Sequence, residues 1–530
     1  MKKITFLIFF LLPQILFSQS KINYQLLNAN NIHLLLQNIG NMNYRNYANG
    51  GGIWKLIVRD TVIIFDQGPW IIGKINNKIH LAFEQWSGNY SPGPILNNIA
   101  AMQYKPEDSL KYRIYKISRG DDNSDKDYLE WPIEFGAPKT KDGKPKLFQD
   151  QMLWAVFNEY DPAFIYKYPW KDSLPQTPIE IQQLAYAKKG NSKDEVDIFS
   201  NIVFFEWTII NKGKFPIDSA YFSFWTDIDF GLNAIGGSGI REYNIPQIDS
   251  TSGLGYLWSN TTDPQPAVGY VMLYGPSVPA NGAKAIYKGK ERPHYKNLEV
   301  TSNDAFFGGG AGVPYRLSTS TAEAWNIARG LYTNGIVKTN PSENKPTKFT
   351  FSGDPVTNKG WIWNGTYTGG GAGFNLFSGP FNLAPNDTQW VMMALVPALG
   401  KDYKESITIM RNKVKLLKSL PYDSLAFGRK AVMVGVENRK DIPMQISLEQ
   451  NYPNPFNPET TIEFSLPKEG RYVLGVFNIL GERVKELADR EFEAGYHEVS
   501  FDGSRFSSGV YFYCLRGDGV NLVKKMMLVK

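Results

Sequence analysis

Apolar and polar residues alternate through much of this chain, the period expected of strands with one face toward a core. Residues 55–68 (KLIVRDTVIIFDQG) read as two strands turning near Arg59-Asp60. Residues 68–86 read as a hairpin with Asn76-Asn77 at its turn. The clearest pair covers 201–231, where two strands flank Asn211-Lys212-Gly213. In the second of these, Phe222, Phe224 and Ile228 share one face, while Tyr221, Trp225, Asp227 and Asp229 share the other. Further strands are expected at 267–274, 347–352 and 389–396. Helical spacing is scarce. Tyr403, Ile407, Met410, Val414 and Leu417 form one stripe, with Asp402 and Glu405 suited to capping its start and Pro421 to stopping it. The fold class that follows is mostly β: a multi-domain β-sandwich body with one packing helix near 402–420, then a small β-rich C-terminal module.

Composition supports that pattern. Aromatic residues make up 14% of the 530, and 48 Gly with 32 Pro fit many strands joined by turns. Charged residues are 20% and spread along the chain without a dense basic run, so nucleic acid is not an expected partner. The first residues run from Lys2 and Lys3 through an apolar stretch, Ile4 to Phe17, to the small residues Ser18 and Ser20. That is the layout of a secretory signal peptide over 1–20, and its loss lowers the formal net charge from +6 to +4. Cys514 is the single cysteine, which excludes an internal disulfide framework and a thiolate metal cluster within one chain. No later stretch is apolar for long enough to predict an integral membrane segment after signal cleavage. The expected organisation is a β-rich body over 21–428, a linker over 429–446 and a terminal domain over 447–530. The polar stretch 188–195 suggests a boundary near 190–200 between two subdomains of the body.

The start of the terminal domain, "NYPNPFNP", sets Pro453, Pro455 and Pro458 among asparagines immediately before an alternating strand. Proline lacks an amide donor and fixes its own φ, so it belongs before a strand or along an edge. Ile462, Phe464 and Leu466 then share one face, and about six short strands follow, enough for a small Ig-like sandwich.

Four segments in order carry a family resemblance: Asn451, Tyr452, Pro453, Asn454, Pro455, Phe456, Asn457 and Pro458; "VFNILGERV" around Gly481; "AGYHEVSFDGSRFSSGVYFY" with Gly495, Gly509 and Tyr511; and "KKMMLVK" with Lys524 and Lys525. Together they resemble the C-terminal (type A) sorting domain of type IX secretion cargo from Bacteroidetes-like bacteria. The resemblance implies an address: transit through the periplasm, recognition of the tail by the type IX machinery, then surface attachment or release. The body is similar to uncharacterised secreted proteins with such tails, through "YSPGP" (90–94), "SGDPVTNKGW" (352–361) and "FSGPFNLAPNDTQWVMMALV" (377–396). That likeness implies architecture only.

The body carries no metalloprotease H-E-x-x-H and no G-x-S-x-G nucleophile elbow. Its two GGGAG runs, 308–312 and 369–373, lack the strand–loop–helix setting of a phosphate cradle. Asp121, Asn123, Asp125 and Asp127 place oxygen atoms at every second position, as in the first half of a calcium loop, although Lys126 and Pro132 break the EF-hand pattern. Calcium is the one cofactor this suggests, against a solvated acidic loop. Trp225, Asp227 and Asp229 could form a ligand face, or supply paired carboxylates for glycoside hydrolysis. Six Asp-Ser/Thr-apolar triplets exceed the roughly two expected from composition. They resemble the O-glycosylation pattern of exported proteins, or equally mark turns. Three readings of the body follow: a non-catalytic glycan-, matrix- or envelope-binding protein, a secreted polysaccharide hydrolase, and a structural spacer without a ligand.

Overall fold

A computed structural model describes residues 22–42, 52–55, 60–85, 87–88, 90–164, 174–189, 198–228, 230, 244–260, 266–307, 315–365, 371–428, 446–493 and 495–530. The chain divides into two compact units, Met1–Ala431 and Val432–Lys530. The expected signal peptide, 1–20, and all of the expected linker 429–446 except Ile446 lie outside the described residues.

The first unit is built on two large antiparallel sheets. One has nine strands: Tyr115–Ser118, Gln151–Asn158, Ile179–Ala187, Val203–Asn211, Thr388–Ala398, Ala267–Tyr274, Leu254–Ser259 and Asn244–Asp249 in that order, with Ser91–Pro92 paired to the second. The other has six: Ser302–Phe307, Ala372–Leu383, Ile217–Ile228, Asp66–Ile75, Lys78–Gln85 and Ser87–Gly88. Their facing sides share one core, in which Phe205 and Trp207 of the first sheet meet Phe222 and Phe224 of the second. A further four-stranded sheet, Tyr24–Leu27 through Asp60–Ile64, adds Leu27, Ile32, Leu34 and Ile64 to that core.

The outer sides of both sheets are covered too. Helix Tyr403–Ser419 lays Ile407, Met410, Val414 and Leu417 over strands Leu254–Ser259, Ala267–Tyr274 and Thr388–Ala398 of the nine-stranded sheet. Asp402 caps it by accepting from the Glu405 amide at 2.8 Å, as its spacing predicts. A second helix, Thr321–Ala328, packs Ala324, Trp325 and Ile327 over Trp70, Tyr221 and Trp225 of the six-stranded sheet. The sequence reading missed this helix. Its signal is a capping box, with Ser320 accepting from the Glu323 amide at 3.2 Å and the Glu323 carboxylate accepting from Thr319 at 2.7 Å.

Three expectations for the body change. Strands Val203–Asn211 and Ile217–Ile228 do not pair with each other: they lie in different sheets, and the chain between them crosses from one layer to the next. Asn211 holds that crossing, its amide donating to the carbonyls of Phe215 and Leu383 at 2.9 Å each. The region near 190–200 separates no subdomains, because Tyr186 and Phe204 on either side of it are paired in adjacent strands of one sheet. Of 347–352, only Thr347 is strand, as the end of Lys345–Thr347. The hairpin at Asn76-Asn77 forms as expected, with left-handed φ of 50° and 61°.

The second unit is a separate sandwich. Ser447–Leu448, Glu459–Leu466 and Gly495–Asp502 form one sheet. Arg483–Phe492, Gly470–Phe477, Gly509–Gly517 and Val520–Leu528 form the other. Phe456, Ile462, Phe464, Leu474, Tyr513 and Leu528 fill the core between them.

Candidate functional site

The acidic loop at 121–127 is committed to holding its own backbone. Asp121 accepts from the Ser118 amide at 2.7 Å, and Asp125 caps helix Lys126–Leu129 by accepting from the Tyr128 amide at 3.0 Å. Asp127 accepts from Arg113 Nε and Nη2 at 3.0 and 2.8 Å and from the Lys116 amide at 2.9 Å, while Asn123 is exposed. The helix start turns alternate residues away from each other, so these four oxygens do not converge as calcium requires. Among the described residues no group of three or more His, Cys, Asp or Glu could hold a metal ion.

The expected ligand face is closed. Trp225 is 0% exposed, with its ring stacked on Phe306 at 5.9 Å, and Asp227 is 5% exposed. Asp229 lies outside the described residues. The alternation that places Trp225 and Asp227 together is real, but the helix Thr321–Ala328 and its flanks occupy the space a ligand would need.

Other carboxylates are gathered inside the body. Asn41 donates to Asp66 at 3.2 Å and to Glu84 at 2.5 Å, and all three are buried. Glu159 is buried beside them, and neither of its carboxylate oxygens has a hydrogen-bond partner. Burial, then the neighbouring Glu84 charge, holds the Glu159 carboxyl well above the usual carboxylate range. Tyr90, between the same two carboxylates, is also raised, first by burial. Neighbouring carboxyls can serve as an acid–base pair, but contact with a substrate is needed for that chemistry, and these groups are buried.

A second buried carboxylate, Glu206, accepts from the hydroxyls of Tyr186 and Tyr422 at 2.9 and 3.1 Å and from Trp390 at 2.9 Å. Burial raises it, and those three bonds oppose the rise. Lys338, fully buried, donates to the Asn303 carbonyl at 2.7 Å and to Asp304 at 3.3 Å. Burial pushes Lys338 down and Asp304 up, each opposed by the other's charge. Both sets tie separate elements together.

The exposed chemistry of the body lies elsewhere, on a two-stranded ribbon, Ser277–Tyr287 and Lys290–Asn297. It carries Lys284, Lys288, Lys290, Arg292, His294 and Lys296 against one acid, Glu291. Lys284 pairs with Glu291 at 2.7 Å, Lys290 and Lys296 make no ion pair among the described residues, and Lys288 lies within the field of the buried Glu206 carboxylate. Arg292 lies over the Tyr295 ring at 3.5 Å and donates to Ser277 at 3.1 Å. The ribbon is fastened at its turn. Tyr287 bonds Thr388 at 3.0 Å, and Gly289, at φ +80°, sits so close to Tyr422 that a Cβ there would lie 2.6 Å from the ring. Asp423 lies beside Gly289 and Asp387 beside Tyr287, while Glu206 acts on Lys288 from within the body. Sequence reading overlooks this site because the basic residues are spaced by alternation and never form a dense run.

Of the six Asp-Ser/Thr-apolar triplets, Ser424 is buried inside helix Tyr422–Phe427, and Asp249 accepts from the Thr251 and Ser252 amides at 3.1 and 3.3 Å in a turn. Asp172 and Ser173 lie outside the described residues. The described triplets therefore share no common environment.

In the tail, the proline-rich segment is brought onto the last strand. Phe456 donates to the Met527 carbonyl at 2.9 Å and accepts from Val529 at 3.0 Å, and Asn454 accepts from the Met527 amide at 2.8 Å. Gln450 donates to the Lys525 carbonyl at 2.7 Å. Asn451 is buried, its amide donating to Pro453 O at 3.1 Å and Thr460 Oγ1 at 2.9 Å, while its backbone N–H donates to the Tyr513 hydroxyl at 2.7 Å. An open edge strand invites another chain to add to it, and here the Pro-rich segment caps that edge. Pro453, Pro455 and Asn457 are exposed, whereas Pro458 is half-buried and its carbonyl accepts from Gly503 at 2.8 Å. Gly481, at φ +80°, closes the turn between Gly470–Phe477 and Arg483–Phe492, where Asn478 Oδ1 accepts from the Leu480 and Glu482 amides. Gly495 and Gly509 each begin a strand, Tyr511 bonds the Ser507 carbonyl at 2.9 Å, and Lys524 and Lys525 are exposed on the last strand.

Residues 450–530 match the family model of the secretion system C-terminal sorting domain. No curated protein matches the chain. Among solved structures, a polysaccharide lyase aligns with 9% identity over 87% of this chain and 47% of its own, at a TM-score of 0.22. This chain thus spans about half the length of that structure, and a superposition so loose carries no argument about the body. No helix among the described residues is long and apolar enough to cross a membrane. The tail, whose four motifs lie on one small sandwich, is the C-terminal sorting domain of type IX secretion cargo, and this chain is exported to the cell surface or beyond it.

Proposed function

We propose that the body is a non-catalytic surface-displayed or secreted binding protein for acidic polysaccharide, with the ribbon 277–297 as its contact. The observation that carries this reading is the set of basic side chains on that ribbon, largely without carboxylate partners and held by an anchored turn. Such a surface attracts a polyanion through its summed field, and the attraction weakens as salt screens it. Tyr295, already under a guanidinium, adds a flat apolar ring beside the charges.

A spacer without a ligand is the second reading. The sealed environments of Trp225, Asp227, Glu84 and Glu159 favour it over a hydrolase. The test uses the purified chain on a panel of neutral, uronic-acid and sulfated polysaccharides at low and high salt, scoring retained protein and released reducing ends. Retention on acidic polymers that falls at least about tenfold between low and high salt supports the proposal. Loss of that retention in Lys288→Ser/Lys290→Ser/Lys296→Ser would place it on the ribbon. Absence of retention would leave the spacer, and newly released reducing ends would establish the hydrolase.

A further inference from the structure

The tail's two sheets present different outer faces. On the three-stranded sheet, register pairs Glu459 with Asp502, Thr461 with Ser500 and Glu463 with Glu498, so that face is polar and acidic. On the four-stranded sheet, Phe477, Phe512 and Lys525 form one row, Gly475, Cys514 and Val523 the next, and Val510 with Met527 a third. The turn carrying Ile479 and Leu480 follows Phe477 directly, and these two side chains are 72% and 77% exposed. Val523 and Met527 are exposed at 54% and 40%. Along the neighbouring strand Arg483–Phe492 the same face is laced with ion pairs, Arg471–Asp489 at 2.9 Å and Arg483–Glu486 at 2.7 Å. Lys525 makes no ion pair among the described residues.

An apolar face of this kind on a small exported domain marks an interface. Because the Pro-rich segment covers the edge of the last strand, a partner is steered onto the face and away from strand addition. We propose that the outer face of the four-stranded sheet, centred on Phe512 and Lys525 and flanked by Leu480 and Val523, is the surface by which the tail docks on a protein of the type IX machinery. That protein would present an apolar patch with a carboxylate opposite Lys525. The proposal rests on the tail's role as a sorting domain, which removal of residues 447–530 tests separately.

The experiment follows the full chain in an exporting bacterium, comparing periplasmic with surface and medium fractions. Leu480→Asp/Val523→Asp should accumulate in the periplasm, with export reduced at least tenfold and the melting profile of the purified chain unchanged. Lys525→Glu, which leaves the apolar area in place, should reduce export and serves where the double variant folds poorly. Glu459→Lys/Glu498→Lys, on the acidic face, should be exported normally. Normal export of both the double variant and Lys525→Glu would overturn the proposal. So would equal retention of the acidic-face variant. A change from dimer to monomer with export intact would reassign the face to a second copy of this chain, and would likewise overturn it.

Discussion

The body and the tail are both sandwiches of two sheets, and they use their outer faces in opposite ways. In the body, each outer face is buried under a helix, so strand Ile217–Ile228 sends Phe222 and Phe224 into one core and Tyr221 and Trp225 into another. In the tail, strand Val520–Leu528 buries Met526 and Leu528 and leaves Val523, Lys525 and Met527 on an open face. Alternation therefore means different things in the two units. An aromatic on the second face of a body strand is a core residue, and one on the second face of a tail strand is available to a partner.

The largest test of that difference is Trp225→Ala. In a covered layer it removes a full core side chain, and unfolding of the body should become easier by about 3–5 kcal/mol. Val523→Ala in the tail should change stability by less than about 0.5 kcal/mol. Chemical denaturation of the two variants checks both. A Trp225→Ala body as stable as the parent would mean the ring is an open platform after all.

A smaller effect is expected where the tail's motif holds itself. Asn451→Ala removes the amide that donates to both the Pro453 carbonyl and the Thr460 hydroxyl, leaving only the bond between those two, and should cost about 1–3 kcal/mol in the tail's unfolding transition. Exposed Asn457→Ala in the same motif should cost almost nothing. Equal losses would mean that the motif is not divided into a structural part and an exposed part.

These contrasts explain what sequence discloses here. The tail is legible because its signals are local: Asn451 and Phe456 pin one strand edge, and Gly481 supplies one left-handed turn. In the body, the strands and the helix Tyr403–Ser419 are legible from period, and the layers are not. The five residues between Asn211 and Ile217 suit a hairpin or a crossing between sheets, and spacing does not distinguish them. The distinguishing sign is that Ala220 to Trp225 are apolar on both faces apart from Ser223, as a strand covered on both sides requires. Acidic clusters mislead for a related reason. Whether Asp121 to Asp127 cap backbone or hold a cation depends on where the helix begins, and that is fixed by Asp125.

The buried carboxylates give the comparison a pH axis. Glu159 has its folded value raised by burial and by Glu84, so its contribution to stability is fully present below its unfolded value and is lost as pH rises through the folded one. The body should weaken as pH rises above the ordinary glutamate value, and Glu159→Gln should flatten that decline. The tail's carboxylates behave in the opposite sense. Asp489 and Asp502 are lowered, by Arg471 and by the Ser504 bonds respectively, and their contribution is present above the unfolded value and lost as pH falls. Separate unfolding transitions followed from about pH 2 to pH 10 should therefore shift in opposite directions. Parallel shifts would show that Glu159 is not sealed.

The smallest effect concerns the acidic loop. Asp125→Ala removes the cap of helix Lys126–Leu129 and should cost about 1 kcal/mol, the usual value of one such cap. If the loop serves only to fold itself, millimolar calcium or a chelator should leave the melting temperature of the parent and the variant unchanged. A calcium-dependent rise in the parent that is absent in Asp125→Ala would restore the metal. It would also mean that the loop opens, since Asp127 must first let go of Arg113 and the Lys116 amide before its oxygens can face a cation.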